Sequence, residues 1–193
     1  AQLDPSATLV GAGVAVPGEI RDLDLEHWRH LIDVNLMGEI HAIHYAYPVM
    51  IRQGSGHIVN IASGFGMAPG PLNSPYVATK FAVFGLSHAF AAEARDFGIH
   101  VSVVCPGYLY TEMMAGLTPV RADAAAMRAQ IPVSLMPVAK AAEIILSGVA
   151  KRKAVIAFPG YVRLLAFLHR FVPKLFSEFS EQQVRQFRSI RRT

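Results

Sequence analysis

Short runs of apolar, mostly β-branched residues alternate along this chain with longer segments in which apolar residues recur at helical spacing. Alternation of this kind is typical of strand–helix–strand units that build a parallel sheet. The short runs are rich in β-branched residues, and those at 57–62 and 99–104 are predicted to be buried strands. They predict four strands, at Ala7–Val10, 57–62, 99–104 and 154–158.

The longer segments predict three helices, over 24–52, 74–94 and 139–147. Asp24 is a good N-cap for the first helix, and Pro75 suits the first turn of the second. Residues 112–135 contain several prolines and no regular period, so an irregular segment is predicted there. After the first strand, the order of elements resembles the second half of a doubly wound α/β sheet, which has helices on both faces.

Composition narrows the class of protein. Apolar residues make up 52% of the 193 residues and charged residues only 17%, so the chain is predicted to fold as one domain around a real core. The single cysteine, Cys105, excludes a disulfide within the chain and fits a reducing compartment. No signal-peptide pattern and no run of about 18 apolar residues occurs, so a cytoplasmic location is predicted.

The formal charge of +4 is concentrated at the C-terminal end of the chain. Residues 161–193 hold seven Lys/Arg against two Glu, a net +5, so residues 1–160 carry about −1. A body without a basic surface argues against nucleic-acid binding as its main function. We divide the chain into a body at 1–160 and a basic, amphipathic helical tail at 161–193, which Pro173 is predicted to split into two helices.

The tail has two candidate locations. Arg163, Arg170 and Lys174 share one side of a helical wheel, and apolar residues cover most of the rest. A segment of this kind can lie in a membrane interface and give peripheral membrane contact. Alternatively, the tail packs over the substrate cleft or against a second subunit, and the sequence leaves both locations open.

The first candidate for chemistry is a tyrosine–lysine pair on the second predicted helix. Tyr76 and Lys80 stand at i and i+4, so they share one helix face. An ammonium beside a phenol favours the phenolate, so the tyrosine can exchange a proton near neutral pH. The pair alone is weak evidence, because an amphipathic helix with one solvated lysine has the same pattern.

Other polar residues give the pair a context. Ser63 follows a predicted strand, and side chains at the carboxyl ends of parallel strands face the ligand crevice. The glycine- and proline-rich loop after Ser63 can fold it back over the start of the next helix. Asn35 lies inside a predicted helix, where asparagine is mildly unfavourable unless its amide has a polar role. Pro106 and Gly107 end a strand, and Thr111 offers a hydroxyl just beyond them.

Together these residues resemble the short-chain dehydrogenase/reductase family. The resemblance runs from about residue 9 to residue 158, and the ordered set is far more specific than any one of its motifs. Its parts are Val34-Asn35-Leu36-x-Gly38, the strand end at Ser63, Tyr76-x-x-x-Lys80 and Pro106-Gly107-x-x-x-Thr111. The resemblance implies a Rossmann-like, three-layer α/β/α fold and a homodimer or homotetramer.

The resemblance also implies a role for each residue. Tyr76 would be the general acid/base on the substrate oxygen, and Ser63 would hydrogen-bond that oxygen. Lys80 would lower the pKa of Tyr76 and hold the ribose of a nicotinamide cofactor, NAD or NADP. Asn35 would anchor a water that links Lys80 to solvent. The implied reaction is hydride transfer between the cofactor and a small-molecule alcohol or ketone.

The implied cofactor-binding set includes residues outside the catalytic four. Its members are Gly13, Asn35, Tyr76, Lys80, Pro106, Gly107 and Thr111. Pro106, Gly107 and Thr111 would line the nicotinamide, with Thr111 near its carboxamide. No metal site is predicted, because His41 and His44 have no third ligand nearby in the sequence.

The sequence departs from the family at its N-terminal end. The family opens with a strand and a Thr-Gly-x-x-x-Gly-x-Gly loop that receives the pyrophosphate on a helix N-terminus, and this motif is absent. Residues 8–13 are either the family's fourth strand, keeping only Ala12-Gly13 of its usual motif, or a remnant of the first strand and glycine loop. We expect an N-terminally incomplete nucleotide fold that binds no dinucleotide tightly and leaves the choice between NAD and NADP undetermined.

The predicted irregular segment suggests the substrate class. It is apolar and adaptable, with Met113, Met114, Leu117, Met127, Ile131 and Leu135. The hypothesis is a lipophilic alcohol or ketone, and the alternative is that these residues simply pack on the body. Two other functions stay open: a catalytically silent binding or scaffold protein, and a dehalogenase-type relative. A silent protein has no need to keep all four catalytic residue types, so the presence of Asn35, Ser63, Tyr76 and Lys80 disfavours it. Lys80 disfavours the dehalogenase-type relative, which has arginine at this position.

Overall fold

The computed structural model describes residues 7–11 and 13–192, and it places a four-stranded parallel sheet at the centre of the molecule. The strands are β1 (Ala7–Val10), β2 (Gly56–Ile61), β3 (Ile99–Pro106) and β4 (Val155–Phe158). Each strand pairs with the next one in sequence, so the spatial order is β1-β2-β3-β4. The predicted strands are therefore confirmed, with shifts of one or two residues at their ends.

Eight α-helices surround the sheet within the described residues. They are α1 (Leu25–Ile32), α2 (Gly38–Gln53), α3 (Ser74–Ala94), α4 (Glu112–Ala115), α5 (Ala124–Ala129), α6 (Val138–Ala150), α7 (Gly160–Phe171) and α8 (Pro173–Arg188). A π-helical turn, Asp33–Met37, joins α1 to α2. None of the helices described is long and apolar enough to cross a bilayer.

Helices cover both faces of the sheet, so the predicted three-layer, Rossmann-like α/β/α arrangement is confirmed. On one face, Ile58 and Val101 pack against Met50 of α2 and Phe90 of α3. On the opposite face, strand residues pack against α6; they are Val59, Val104 and Ile156. Complete burial of an aliphatic side chain contributes about 1.5–3 kcal/mol, so the two layers are held mainly by these apolar contacts.

The first predicted helix is one helical run with a change of geometry inside it. Asp24 is its N-cap, as predicted, because its carboxylate accepts a hydrogen bond from His27 N at 3.3 Å. The π-helical turn adds one residue to the local ring and shifts the phase of the side chains that follow. Gly54, with a φ of 67°, ends α2 in the left-handed conformation that glycine adopts without strain.

The segment predicted to be irregular contains two short helices, which corrects that prediction. Thr111 caps α4 by accepting a hydrogen bond from Met114 N at 3.3 Å. Asp123 caps α5 by accepting one from Ala126 N at 2.9 Å. Each cap satisfies an N–H group that a helix start leaves without a partner. Helices this short show no measurable period in the sequence, so the capping residues Thr111 and Asp123 were the only features that could have predicted them.

The tail is split at Pro173, as the sequence predicted, and it packs on the body. α7 ends at Phe171, α8 begins at Pro173, and Phe187 on α8 is only 1% exposed. Arg188 donates two hydrogen bonds to Glu19, at 2.9 and 2.7 Å. Of the two locations left open for the tail, packing on the body is therefore the one observed for α8.

Much of the positive charge of the tail is neutralised within the molecule. Arg191 donates to both carboxylate oxygens of Asp22, at 2.8 and 3.1 Å, and Arg192 pairs with Asp123. The Arg191 guanidinium holds the pKa of Asp22 below its usual value, and Arg188 does the same for Glu19. The basic tail is thus joined to acidic residues of the body.

Candidate active site

Ser63 stands just beyond the carboxyl end of β2, in extended backbone with a φ of −168°. Its hydroxyl accepts a hydrogen bond from Phe65 N at 3.1 Å and so caps the tight turn Gly64–Gly66. Gly66 presses this turn onto α3, because a Cβ atom there would lie 2.6 Å from the carbonyl oxygen of Lys80. The loop after Ser63 therefore folds back over α3, as the sequence predicted.

Tyr76 lies in the first turn of α3 and packs edge-on against Phe65, which stands two residues after Ser63. Burial raises the pKa of the Tyr76 phenol, and the hydrogen bond with Ser63 opposes that rise. The sequence predicted a lowered pKa through Lys80, and this prediction is wrong for the structure as it stands. The ammonium nitrogen of Lys80 lies 5.8 Å from the centre of the Tyr76 ring, and desolvation is the largest influence on the pKa of the phenol.

Lys80 is 2% exposed, so it is not the solvated lysine of an ordinary amphipathic helix. Its ammonium donates a hydrogen bond to the carbonyl oxygen of Ile61 at 2.9 Å. Burial lowers the pKa of Lys80, and the negative charge of Glu39 acts in the opposite direction. The lysine is thus fixed beside the end of β2, one helical turn beyond Tyr76.

Asn35 occupies the π-helical turn and is completely buried. Its amide accepts from Val14 N at 2.8 Å and donates to Val14 O at 2.9 Å, in the manner of a strand neighbour. A third hydrogen bond reaches the hydroxyl of Thr79 on α3 at 3.3 Å. Asn35 therefore ties the segment after β1 to the helix that carries Tyr76 and Lys80.

Two glycines bring backbone close to the same place. A Cβ atom on Gly13 would lie 3.8 Å from the ammonium nitrogen of Lys80 and 3.9 Å from the Asn35 amide oxygen. A Cβ atom on Gly107 would lie 2.1 Å from the hydroxyl of Tyr161, so a side chain does not fit there. Gly107 is fixed by a hydrogen bond from its N–H to Phe158 O at 2.7 Å.

One of the two interpretations of residues 8–13 is supported by this arrangement. β1 pairs directly with β2, the strand that leads to Ser63, as expected for the fourth-strand interpretation. A phosphate-binding glycine loop must be followed at once by a helix N-terminus. Residues 13–19, all described, contain no helix, and the first helical turn begins at Ile20. The fourth-strand interpretation is therefore the one that the structure favours.

A single cleft of about 530 Å³ joins most of the predicted residues. The predicted catalytic and cofactor-binding residues that line it are Gly13, Ser63, Tyr76, Lys80, Pro106, Gly107 and Thr111. Asn35 lies behind the cleft and is not among the described lining residues. Five of the six residues predicted to contact a lipophilic substrate also line it, namely Met113, Met114, Leu117, Met127 and Ile131. Leu135 does not, which corrects its assignment.

The tail forms one wall of this cleft. Leu164 and Leu165 of α7 and Phe176 and Phe179 of α8 line it opposite the catalytic side chains. The interior is consequently apolar around a small polar group made of Ser63, Tyr76 and Lys80. Ligand sites usually combine an apolar lining with few polar groups in this way.

Three aromatic residues of the site were not predicted. Phe65 packs edge-on against Tyr76 and Tyr108, with ring centres 6.3 and 6.0 Å apart. The Tyr161 hydroxyl accepts a hydrogen bond from Tyr108 N at 2.9 Å. Burial raises the pKa of Tyr108 to about 12, so its phenol stays neutral. Tyr108 directly follows the Pro106-Gly107 motif, and that adjacency was the signal available in the sequence.

Comparison with known proteins gives matches over more than half of the chain. Residues 7–122 match the family model described as short chain dehydrogenase. D-beta-hydroxybutyrate dehydrogenase from Rhizobium meliloti (strain 1021) is 39% identical over 108 residues, covering 56% of this chain and 42% of that protein. Cyclohexanol dehydrogenase from Acinetobacter sp. (strain SE19) is 43% identical over 94 residues, covering 49% and 38%.

A solved structure agrees with these matches. The short-chain dehydrogenase from Sphingobium yanoikuyae in complex with NADPH superposes with a TM-score of 0.71 at 29% identity, covering 89% of this chain and 64% of that one. The chain therefore belongs to the short-chain dehydrogenase family, a family of oxidoreductases. It spans less than half the length of the two curated relatives.

Proposed function

We propose that the protein is an NAD(P)-dependent oxidoreductase that interconverts a secondary alcohol and a ketone, or a primary alcohol and an aldehyde, by hydride transfer. The observation that carries this proposal is that Ser63, Tyr76 and the buried Lys80 line one apolar cleft, with Lys80 one helical turn beyond Tyr76. Relatives named as hydroxybutyrate and cyclohexanol dehydrogenases support an alcohol as substrate. A neighbour bound to NADPH supports a nicotinamide cofactor.

The residues present fit the nicotinamide half of such a cofactor. Lys80 uses one ammonium proton on the Ile61 carbonyl, which leaves two for ribose hydroxyl groups. Gly13 and Gly107 line the cleft with backbone alone, and Thr111 offers a hydroxyl proton for a carboxamide. Tyr76, Asn35 and Pro106 complete the proposed binding set. The bound cofactor would supply or accept the hydride.

The protein's own contribution is to move a proton at the substrate oxygen. Tyr76 would donate it during carbonyl reduction and accept it during alcohol oxidation, while the Ser63 hydroxyl hydrogen-bonds that oxygen. Because burial raises the pKa of Tyr76, the phenol is protonated at neutral pH, the form that reduction requires. Oxidation requires the phenolate, which the hydrogen bond from Ser63 and the ammonium of Lys80 both favour.

We propose a lipophilic alcohol or ketone as the substrate, since Met113, Met127 and Ile131 face the polar group across the cleft lining. With the complete protein and either cofactor, we expect reduction of cyclic or long-chain ketones and little reaction with sugars. Met113→Asp should raise KM for these ketones by about tenfold or more, because it places a charge against apolar substrate. Val138→Asp, at an exposed position outside the cleft, is the matched control.

The measurement is the absorbance of the reduced nicotinamide, followed over a series of ketones and sugars. Activity confined to sugars would refute the lipophilic substrate. Absence of hydride transfer to every substrate, together with tight binding of one of them, would favour the silent binding protein instead.

We also propose that the tail gives peripheral contact with an anionic lipid surface. Apolar side chains are exposed along the outside of α7 and α8; they are Leu164, Phe167, Phe171, Leu175 and Phe179. Arg163, Arg170 and Lys174 stand among them without an ion pair to any described residue, and Glu178 is the one acidic residue in the group. Leu164 and Phe179 also line the cleft, so the exposed apolar surface is continuous with the proposed substrate site.

The lipid proposal predicts a defined effect of two substitutions. Phe167→Glu combined with Phe171→Glu should abolish co-sedimentation with vesicles of phosphatidylcholine and phosphatidylserine, because both remove apolar contact and add repulsive charge. Leu25→Glu, at an equally exposed residue on α1, should leave sedimentation unchanged. Sedimentation that survives the double substitution, or a shift from dimer to monomer without any vesicle binding, would contradict the lipid surface.

We make three further proposals, on domain organisation, oligomeric state and location. Residues 1–160 are proposed as the catalytic domain and 161–193 as its wall-forming tail. A homodimer or homotetramer is proposed from the family resemblance. A cytoplasmic location with peripheral membrane contact is proposed from the composition and the exposed face of the tail.

A further inference from the structure

Glu39 is a buried acid that the proposed reaction does not use. It stands on α2, one residue after Gly38, and is 1% exposed. One of its oxygens accepts a hydrogen bond from Ile61 N at 3.3 Å. The other, Oε2, has no hydrogen-bond partner among the residues that the structure describes. A buried carboxylate with one long hydrogen bond is costly, so its presence calls for a compensating charge.

The compensating charge is the ammonium of Lys80. Lys80 donates to the carbonyl oxygen of Ile61 at 2.9 Å, while Glu39 accepts from the N–H of the same residue. The two charged side chains therefore bind the N–H and the carbonyl oxygen of one residue at the end of β2. That residue lies two positions before Ser63, so the same contacts also fix the start of the loop that carries the serine.

The charges of Glu39 and Lys80 act on each other. Burial raises the pKa of Glu39 to about 7, and the ammonium of Lys80 opposes the rise. Burial lowers the pKa of Lys80, and Glu39 opposes that change. Cys105 on β3 also faces Lys80, but burial raises the pKa of its thiol to about 12, so it is neutral. Tyr76 on α3, with its pKa raised by burial, is neutral as well.

We propose that Glu39 is a positioning residue for the catalytic lysine: its buried carboxylate, bound to the same residue of β2, keeps Lys80 charged and in place behind Tyr76. This inference rests on the proposed function only for its effect on turnover, because the coupling between the two side chains exists in the protein without substrate. Within the site, Glu39 touches neither the cleft nor the substrate oxygen, so it acts through Lys80 alone.

The coupling is tested by NMR on the complete protein labelled with ¹³C at the glutamate side-chain carboxyl carbon. We expect one resonance to titrate near pH 7 and to be missing from Glu39→Gln, which identifies it. In Lys80→Met, the same resonance should titrate about one pH unit or more higher, because a neighbouring positive charge is removed. A Glu39 resonance that titrates at the same pH with and without Lys80 would overturn the inference.

The consequence for turnover is tested separately with the pH profile of kcat. Glu39→Gln keeps the size of the side chain and its hydrogen bond from Ile61 N, so a purely structural role would leave the profile unchanged. We expect the inflection near pH 7 to disappear and the loss of activity at high pH to begin about one unit lower, as Lys80 loses its proton more easily.

The outcomes separate the inference from the function on which it rests. A profile of Glu39→Gln that superposes on the wild type would overturn the positioning role. Coupled titration without any hydride transfer would instead refute the proposed oxidoreductase and leave the Glu39–Lys80 coupling intact. Circular dichroism of each variant checks that the fold is retained.

Discussion

Replacing Tyr76 by phenylalanine is expected to lower kcat for ketone reduction by about 10²–10⁴-fold while binding of the cofactor is retained. The substitution removes only the phenolic hydroxyl, which is the group proposed to exchange a proton with the substrate oxygen. The packing of the ring against Phe65 would be kept. General acid catalysis by a positioned side chain contributes a factor of this size, so its loss should dominate the effect.

The measurement is single-turnover oxidation of the reduced cofactor by the complete protein, which separates chemistry from product release. Tyr45→Phe is the matched control, because Tyr45 is 75% exposed on α2 and lies away from the cleft. A rate for Tyr76→Phe within a few-fold of the control would show that another group supplies the proton.

The second large effect is expected in stability. Phe187→Ala should lower the free energy of unfolding by about 3–5 kcal/mol, because it leaves a cavity where α8 packs on the body. Phe187 is 1% exposed although it lies six residues from the end of the chain. If Phe187→Ala detaches the tail without unfolding the whole domain, cleavage by a protease within α8 should become faster while the rest of the chain stays resistant.

Urea denaturation and limited proteolysis measure the two outcomes. Phe171→Ala offers a control of the same residue type in the same tail, since Phe171 is 67% exposed, and its effect should stay within about 0.5 kcal/mol. Equal effects of the two substitutions would mean that α8 does not depend on Phe187 for its attachment.

Much of the fold was predictable because its signals are local. Strands β2, β3 and β4 are short, mostly buried runs rich in β-branched residues, and Asp24 and Pro75 mark helix starts by their own chemistry. The pairing of neighbouring strands then followed from the alternation of strands and helices. The two short helices in the segment at 112–135 were not predicted, because α4 has only four residues and α5 only six, too few to show a helical period.

The site was predictable where its residues lie on the same helix or are close together in the sequence. Tyr76 and Lys80 lie on the same helix, and Ser63 is placed by the turn that Gly66 presses onto that helix. Residues far apart in the chain gave no such signal. The hydrogen bond between Tyr108 and Tyr161 joins residues 53 positions apart, so neither their spacing nor a local motif predicts it.

Electrostatics was the least predictable part of the site. The sequence shows that Lys80 shares a face with Tyr76, but the face of α3 it occupies turned out to be buried rather than solvated. Desolvation then sets the direction of the pKa of Tyr76, against the prediction from charge alone. Glu39 was not predicted for the same reason, because the sequence alone places an acidic residue of a helix on the surface.

The wall that α7 and α8 build around the cleft lies outside residues 7–122, the part of the chain that matches the family model. In the proposed enzyme, the proton-transfer residues and the tail wall of the substrate site are therefore separate stretches of polypeptide. Evolution can replace one without disturbing the other, provided that the arginines joining the tail to Glu19 and Asp22 keep their partners. Relatives with the same tyrosine and lysine can thus accept quite different molecules, and a graft of the tail is a direct route to a changed specificity.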